Sequence, residues 1–174
     1  MRVFGKPPID PVIVASKLIS FVRDQQQDDR PDWTAAVKSV LGSLANKKDY
    51  IVYPSARERE WLLDLTWLHK GSGAIHLAVE SEWGNQGCVL NDFQKLLCVK
   101  APLKIMVYYA YRGSFVGQFE RYMRQFDQHV KGENYILIEF APGPEDHIYF
   151  YDVPNDGRLQ TVRFEPKLQA AAAA

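Results

Sequence analysis

Cysteine is nearly missing from this chain: Cys88 and Cys98 are the only two in 174 residues. Two thiols cannot build a disulfide framework, and no Cys–Cys or Cys–His spacing matches a zinc pattern, so a reduced, cytoplasmic setting is expected. An excess of charge of one sign is missing as well. Lys+Arg and Asp+Glu stand at 21 each, a formal net charge of zero. A free-standing nucleic-acid binder usually carries a basic excess, so any such role rests on local patches. No apolar run reaches membrane-spanning length, and the opening Met1-Arg-Val-Phe-Gly-Lys-Pro-Pro8 lacks the apolar stretch of a signal peptide. No membrane partner is expected. Walker loops, dinucleotide fingerprints, Ser-His-Asp arrangements and internal repeats are all lacking.

What the chain does have is material for a core. It is 47% hydrophobic and 13% aromatic, which fits one ordered domain over residues 1–169. Residues 170–174, all alanine, add no information. Asp10-Pro11 opens a first helix with an apolar stripe of Ile13, Val14, Leu18, Phe21 and Val22. A polar piece, residues 25–31, leads to a second helix from Asp32, with Ala36, Val37, Val40, Leu41 and Leu44 on one face. Three strands follow at 50–53, 61–69 and 74–83, the last two joined by the turn Gly71-Ser-Gly73. A helix over 88–100, a buried strand at 103–109 and a long amphipathic helix over 114–131 come next. Strands at 135–140, 147–152 and 161–164 close the chain, the first two separated by a Pro-Gly-Pro turn. This order predicts an α/β fold with a mixed sheet.

The chemistry concentrates on acids set into apolar strands. Glu80 and Glu82, in His76-Leu-Ala-Val-Glu-Ser-Glu-Trp-Gly84, share one face of their strand, with backbones roughly 7 Å apart. Asp64 is the single acid in Trp61-Leu-Leu-Asp-Leu-Thr-Trp67. Carboxylates in such surroundings are costly unless they pair, protonate or hold a cation. A solvated edge would explain them without a site. The flanking Leu62-Leu63 and Leu77-Ala-Val79, however, make both strands look covered on each side.

An αβββαβ order with an acid on the second strand and acid-x-acid on the third resembles the PD-(D/E)XK nuclease superfamily, the restriction-endonuclease-like fold, over roughly residues 10–109. The extra first helix and the later helix and strands would be elaborations. The resemblance implies Mg²⁺ or Mn²⁺ held by Asp64 and Glu80, with Glu82 as a further ligand or proton acceptor. It also implies hydrolysis of phosphodiester bonds in nucleic acid, DNA ahead of RNA. Glu82 stands where the family usually has lysine. The role of that lysine would then migrate to the next helix, to Lys95 in Asn91-Asp-Phe-Gln-Lys-Leu-Leu97, with Gln94 a weaker substitute.

The same residues admit plainer readings. On a helical wheel Lys95 lies nearly opposite the Leu90/Phe93/Leu97 stripe, as a solvated lysine would, and Asp92 can pair with it. The missing lysine and the balanced charge also suit a catalytically inactive relative, a binding or assembly subunit that meets a partner protein or a second copy. A glycoside hydrolase using two carboxylates ranks last. Lys47, Lys48, Arg57, Arg59, Lys70, Arg112, Arg121 and Arg124 could line a groove or simply decorate the surface. Trp67 and Trp83 flank the acids as core residues or as platforms for a base. His76 reads as a strand residue and His69 as part of a turn.

Overall fold

The computed structural model describes residues 7–25, 32–54, 62–111, 113–141, 146–154 and 160–162. Arg57, Arg59, Arg112, the Pro-Gly-Pro turn, most of the 25–31 piece and the alanine tail lie outside them, as does Trp61. The elements run α1 Pro11–Gln25, α2 Trp33–Leu44, β1 Tyr50–Tyr53, β2 Leu65–His69, β3 Ile75–Glu82, α3 Gln86–Cys98 and β4 Leu103–Tyr109. They continue with α4 Val116–Gln125, β5 Asn134–Phe140, β6 His147–Asp152 and β7 Gln160–Val162.

All seven strands form one mixed sheet whose spatial order is the chain order. β1, β2 and β3 are antiparallel neighbours, with Gly73 taking a positive φ of 65° in the β2–β3 turn. Helices α3 and α4 each carry the chain to a parallel neighbour, giving β3–β4 and β4–β5 pairs, and β6 and β7 return antiparallel. Side-chain alternation then divides two cores. Leu77, Val79, Ile105, Val107, Ile136 and Ile138 face α1 and α2. Ala78, Met106, Tyr108, Tyr135 and Leu137 face α3 and α4. The central strands are thus covered on both sides, which is why they read as continuous apolar runs.

Two boundaries depart from the sequence expectation by more than two residues. The strand expected over 61–69 begins only at Leu65, because Asp64 uses its side chain where a ladder would use backbone: its Oδ2 accepts from Ser81 N at 2.7 Å. The helix expected over 114–131 covers only Val116–Gln125. Its apolar pattern does continue through Phe126 and Val130. His129, however, turns inward to Met123 O (2.8 Å), Tyr135 OH (3.1 Å) and Glu133 Oε2 (3.3 Å), contacts a continued helix would forfeit. The start of α4 is held from another strand: Glu139 Oε2 accepts from Ser114 Oγ, Phe115 N and Tyr108 OH.

Candidate active site at the end of the third strand

The pairing Leu65↔Val79 places Asp64, one residue before β2, opposite Glu80. Both line a cleft of about 490 Å³ between the β2–β3 ends, the start of α2 and the flank of α3. Asp32 caps α2 by accepting from Ala35 N, and Thr34 Oγ1 donates to Ser81 O at 3.0 Å. These bonds fasten the helix start to β3 and bring Lys38 to 3.9 Å from Asp64 Oδ1. On the other wall α3 presents Asp92 and Lys95.

Lys95 reaches the site. Its ammonium lies 2.7 Å from Glu80 Oε1, 2.8 Å from Asp92 Oδ1 and 3.4 Å from Leu62 O. The buried face of α3 includes Val89 and Leu96 as well as Phe93 and Leu97, which turns it toward Lys95 relative to the expected stripe. The four-carbon stem covers the remaining distance. Lys95 stays 37% exposed, whereas Glu80 is 2% exposed.

Burial, aided by Asp64 and Asp92, pushes the Glu80 carboxyl up to about 8 against the pull of Lys95. For Lys95 burial works the other way, but hydrogen bonds to Asp92 and Glu80 outweigh it and hold the ammonium above its ordinary value. A close ion pair and a raised acid look contradictory. They are compatible because Lys95 divides its charge between Asp92 and Glu80, and its approach to Glu80 is oblique, leaving Oε1 without a well-directed hydrogen bond. Three carboxylates, Asp64, Glu80 and Asp92, therefore crowd a cleft reached by two lysines.

Glu82 lines the same cleft but bends back on its own loop, its Oε1 accepting from Gly84 N at 2.6 Å. A Cβ at position 84 would meet that oxygen at 2.7 Å, so a larger residue there would push the Glu82 carboxylate aside. Trp67 is core, and Trp83 is stacked on Trp33 (5.2 Å) and on Phe140 (5.4 Å), so neither offers a free platform. Ser81, between the two strand glutamates, and Lys38, outside any motif, also belong to the site. The signal for Lys38 was available: it is the only charged residue in the α2 sequence.

Among the described residues no three His, Cys, Asp or Glu side chains come close enough to form a protein-built metal cage. Two neighbouring carboxylates, one of them carrying a buried and poorly bonded oxygen, nevertheless fit a hard cation. Mg²⁺ commonly takes one or two carboxylates and completes its shell with water and phosphate. Comparisons with family models, curated proteins and solved structures return no match.

Proposed function

We propose that the protein is a divalent-cation-dependent nuclease of the restriction-endonuclease-like type, acting on nucleic acid, DNA ahead of RNA. The observation carrying this reading is the convergence of Lys95 from α3 with Glu80 and Asp64 from adjacent strand ends. The antiparallel β1–β2–β3 unit followed by a helical crossover to parallel β4 is the order that such a core requires, and it supports the reading.

Asp64 and Glu80 would hold Mg²⁺ or Mn²⁺. When bound, the cation supplies Lewis acidity toward the scissile phosphate and lowers the pKa of a water. Ser81 N keeps Asp64 Oδ2 fixed, so the carboxylate is oriented before any ligand arrives. Lys95 holds a permanent positive charge at the cleft mouth and can balance the negative charge that grows on a phosphoryl oxygen. Lys38 adds a second cation beside Asp64. Glu82 would position the loop that leads into α3 through the bond of its Oε1 to Gly84, with its other oxygen left as a further ligand or proton acceptor.

The test is cleavage of plasmid, linear duplex and single-stranded substrates with Mg²⁺ or Mn²⁺, beside calorimetric titration of the same ions. Absence of cleavage on every substrate together with absence of cation binding overturns the proposal. A second reading has its own support: Lys95 bridges Asp92 and Glu80, and with Glu80 protonated that triad is neutral with no ligand. An inactive binding subunit of the same fold would keep that triad as a strut. In that case Lys95→Ala lowers the melting temperature and no cation protects the wild type.

A further inference from the structure

Beside the acidic cleft lies a second cavity of about 690 Å³, between loop 84–87, Tyr111 and Phe115. Trp83 lines both, so the two are neighbours across its side chain. Tyr111 is the most exposed large apolar residue described, at 60%. It is nevertheless fixed. Its hydroxyl donates to Trp83 O at 3.1 Å, and its ring packs against Tyr109 with centroids 4.4 Å apart and planes at 55°. An exposed aromatic ring already held in one orientation has little entropy left to lose on contact, which is the property of a binding platform.

The chemistry around the cavity selects its occupant. The first-turn amides of α3 would attract phosphate if they were open. Here Gly87 N and Cys88 N are both taken by Asn85 Oδ1, at 2.9 and 3.2 Å. The carboxylates next door further disfavour a bare anion. What remains among the described residues is an aromatic face, an apolar floor from Phe115, and the amide groups of Asn85 and Gln86, which suit a flat neutral ring with polar edges. A base inside a duplex is stacked on both sides and has no face to offer, whereas an unpaired base does.

We propose that Tyr111 and this cavity hold one unpaired nucleobase of a single-stranded segment, directly beside the phosphate position at Asp64 and Glu80. The proposal rests on the nuclease reading for its substrate class and adds the requirement for single-stranded character. Trp83 does not share the role, because Trp33 and Phe140 occupy its ring faces.

Fluorescence anisotropy with a labelled short oligothymidylate and a blunt duplex, in Ca²⁺ so that the strand is not consumed, tests it. The single strand should bind more tightly than the duplex. Tyr111→Ala should weaken the single strand about 5- to 150-fold, the worth of one base–aromatic stack, and leave duplex binding unchanged. Tyr111→Phe, which keeps the ring and loses only the tether, should weaken it less. Single-strand binding unaffected by Tyr111→Ala, or a wild-type preference for duplex, overturns the inference. The nuclease reading fails separately: Tyr111-dependent binding with no cleavage in Mg²⁺ or Mn²⁺ keeps the base site and removes the catalysis. Duplex cleavage indifferent to Tyr111→Ala does the reverse.

Discussion

Two lysine–glutamate pairs sit on this sheet, and their surroundings put them to different uses. Lys95 and Glu80 meet at 2.7 Å in an open cleft at the end of β3. Lys104 and Glu133 meet at 3.1 Å at the other end of the parallel strands, both with 0% side-chain exposure. In the closed pair Lys104 reaches three acceptors, Glu133 Oε2, Tyr135 OH and Leu97 O, while His129 and Tyr135 also bond to Glu133. The network uses all three ammonium protons and leaves only Glu133 Oε1 without a partner. In the open pair acids outnumber bases.

The strain accordingly falls on opposite partners. Burial lowers Lys104 to about 8 despite Glu133. Burial pushes Glu133 upward, but the bonds from His129, Lys104 and Tyr135 prevail and hold it below its ordinary value. In the cleft it is the acid that is displaced, Glu80 upward to about 8. A closed network with matched charges stabilises one arrangement of the core. An open one with surplus carboxylate is poised to accept a cation.

The largest effect should come from breaking the closed pair. Glu133→Leu leaves Lys104 buried without its counter-charge and should cost about 3–5 kcal/mol, measured by urea unfolding. Lys104→Met combined with Glu133→Leu should recover much of that loss. A double variant no better than the single one would show that packing, and not charge, holds this corner.

The open pair should respond in the opposite sense. Glu80→Gln removes a charge the fold resists, so the melting temperature should hold or rise, while cleavage should fall at least about a hundredfold. Asp64→Asn should behave alike, since an amide oxygen can still accept from Ser81 N. Unfolding of either variant would mark the acids as structural anchors. Lys95→Ala should cost less, about tenfold in cleavage rate, because it removes charge compensation and leaves the carboxylates in place.

The smallest and sharpest test is the pH dependence of stability. Glu80 titrates higher in the folded state (about 8) than in the unfolded chain (about 4.5), so the native state holds its proton more tightly across that window. The ion-free protein should therefore lose stability as pH rises from about 4.5 through about 8. Added Mg²⁺ favours the carboxylate, so its stabilising shift should be larger at the alkaline end of that window than at the acid end. Thermal melts of wild type and Glu80→Gln at both ends check this, and the glutamine variant should lose both the slope and the Mg²⁺ shift.

Local pattern made much of this molecule legible. The strands Tyr50–Tyr53, Leu103–Tyr109 and His147–Asp152 are bounded as their β-branched and aromatic runs suggest. Asp64 and Glu80 were visible as acids in apolar strands because a two-residue period is short enough to read directly. The misreadings arise where one side chain acts over a distance. Asp64 replaces backbone pairing and shortens β2, and His129 reaches back under α4 and ends it. Lys95 was ambiguous because a helical wheel records where a stem begins and not where its ammonium arrives. The contribution of Lys38 depends on how α2 docks on Ser81, which no local pattern contains.

Because sheet order equals chain order, each strand finds its partner in the next one along the chain. Among the described residues, the charged side chains of the cleft all fall between Asp32 and Lys95. Loop closure for the site therefore spans short separations, and nothing from β5 onward is needed to assemble it. The corner at Lys104 and Glu133 must wait for β5, as must the docking of α1, whose core contacts include Ile136 and Ile138. Refolding should show this as a sequence in time: pulse-labelled amides of β2, β3 and α3 protected first, those of β5, β6 and α1 afterwards.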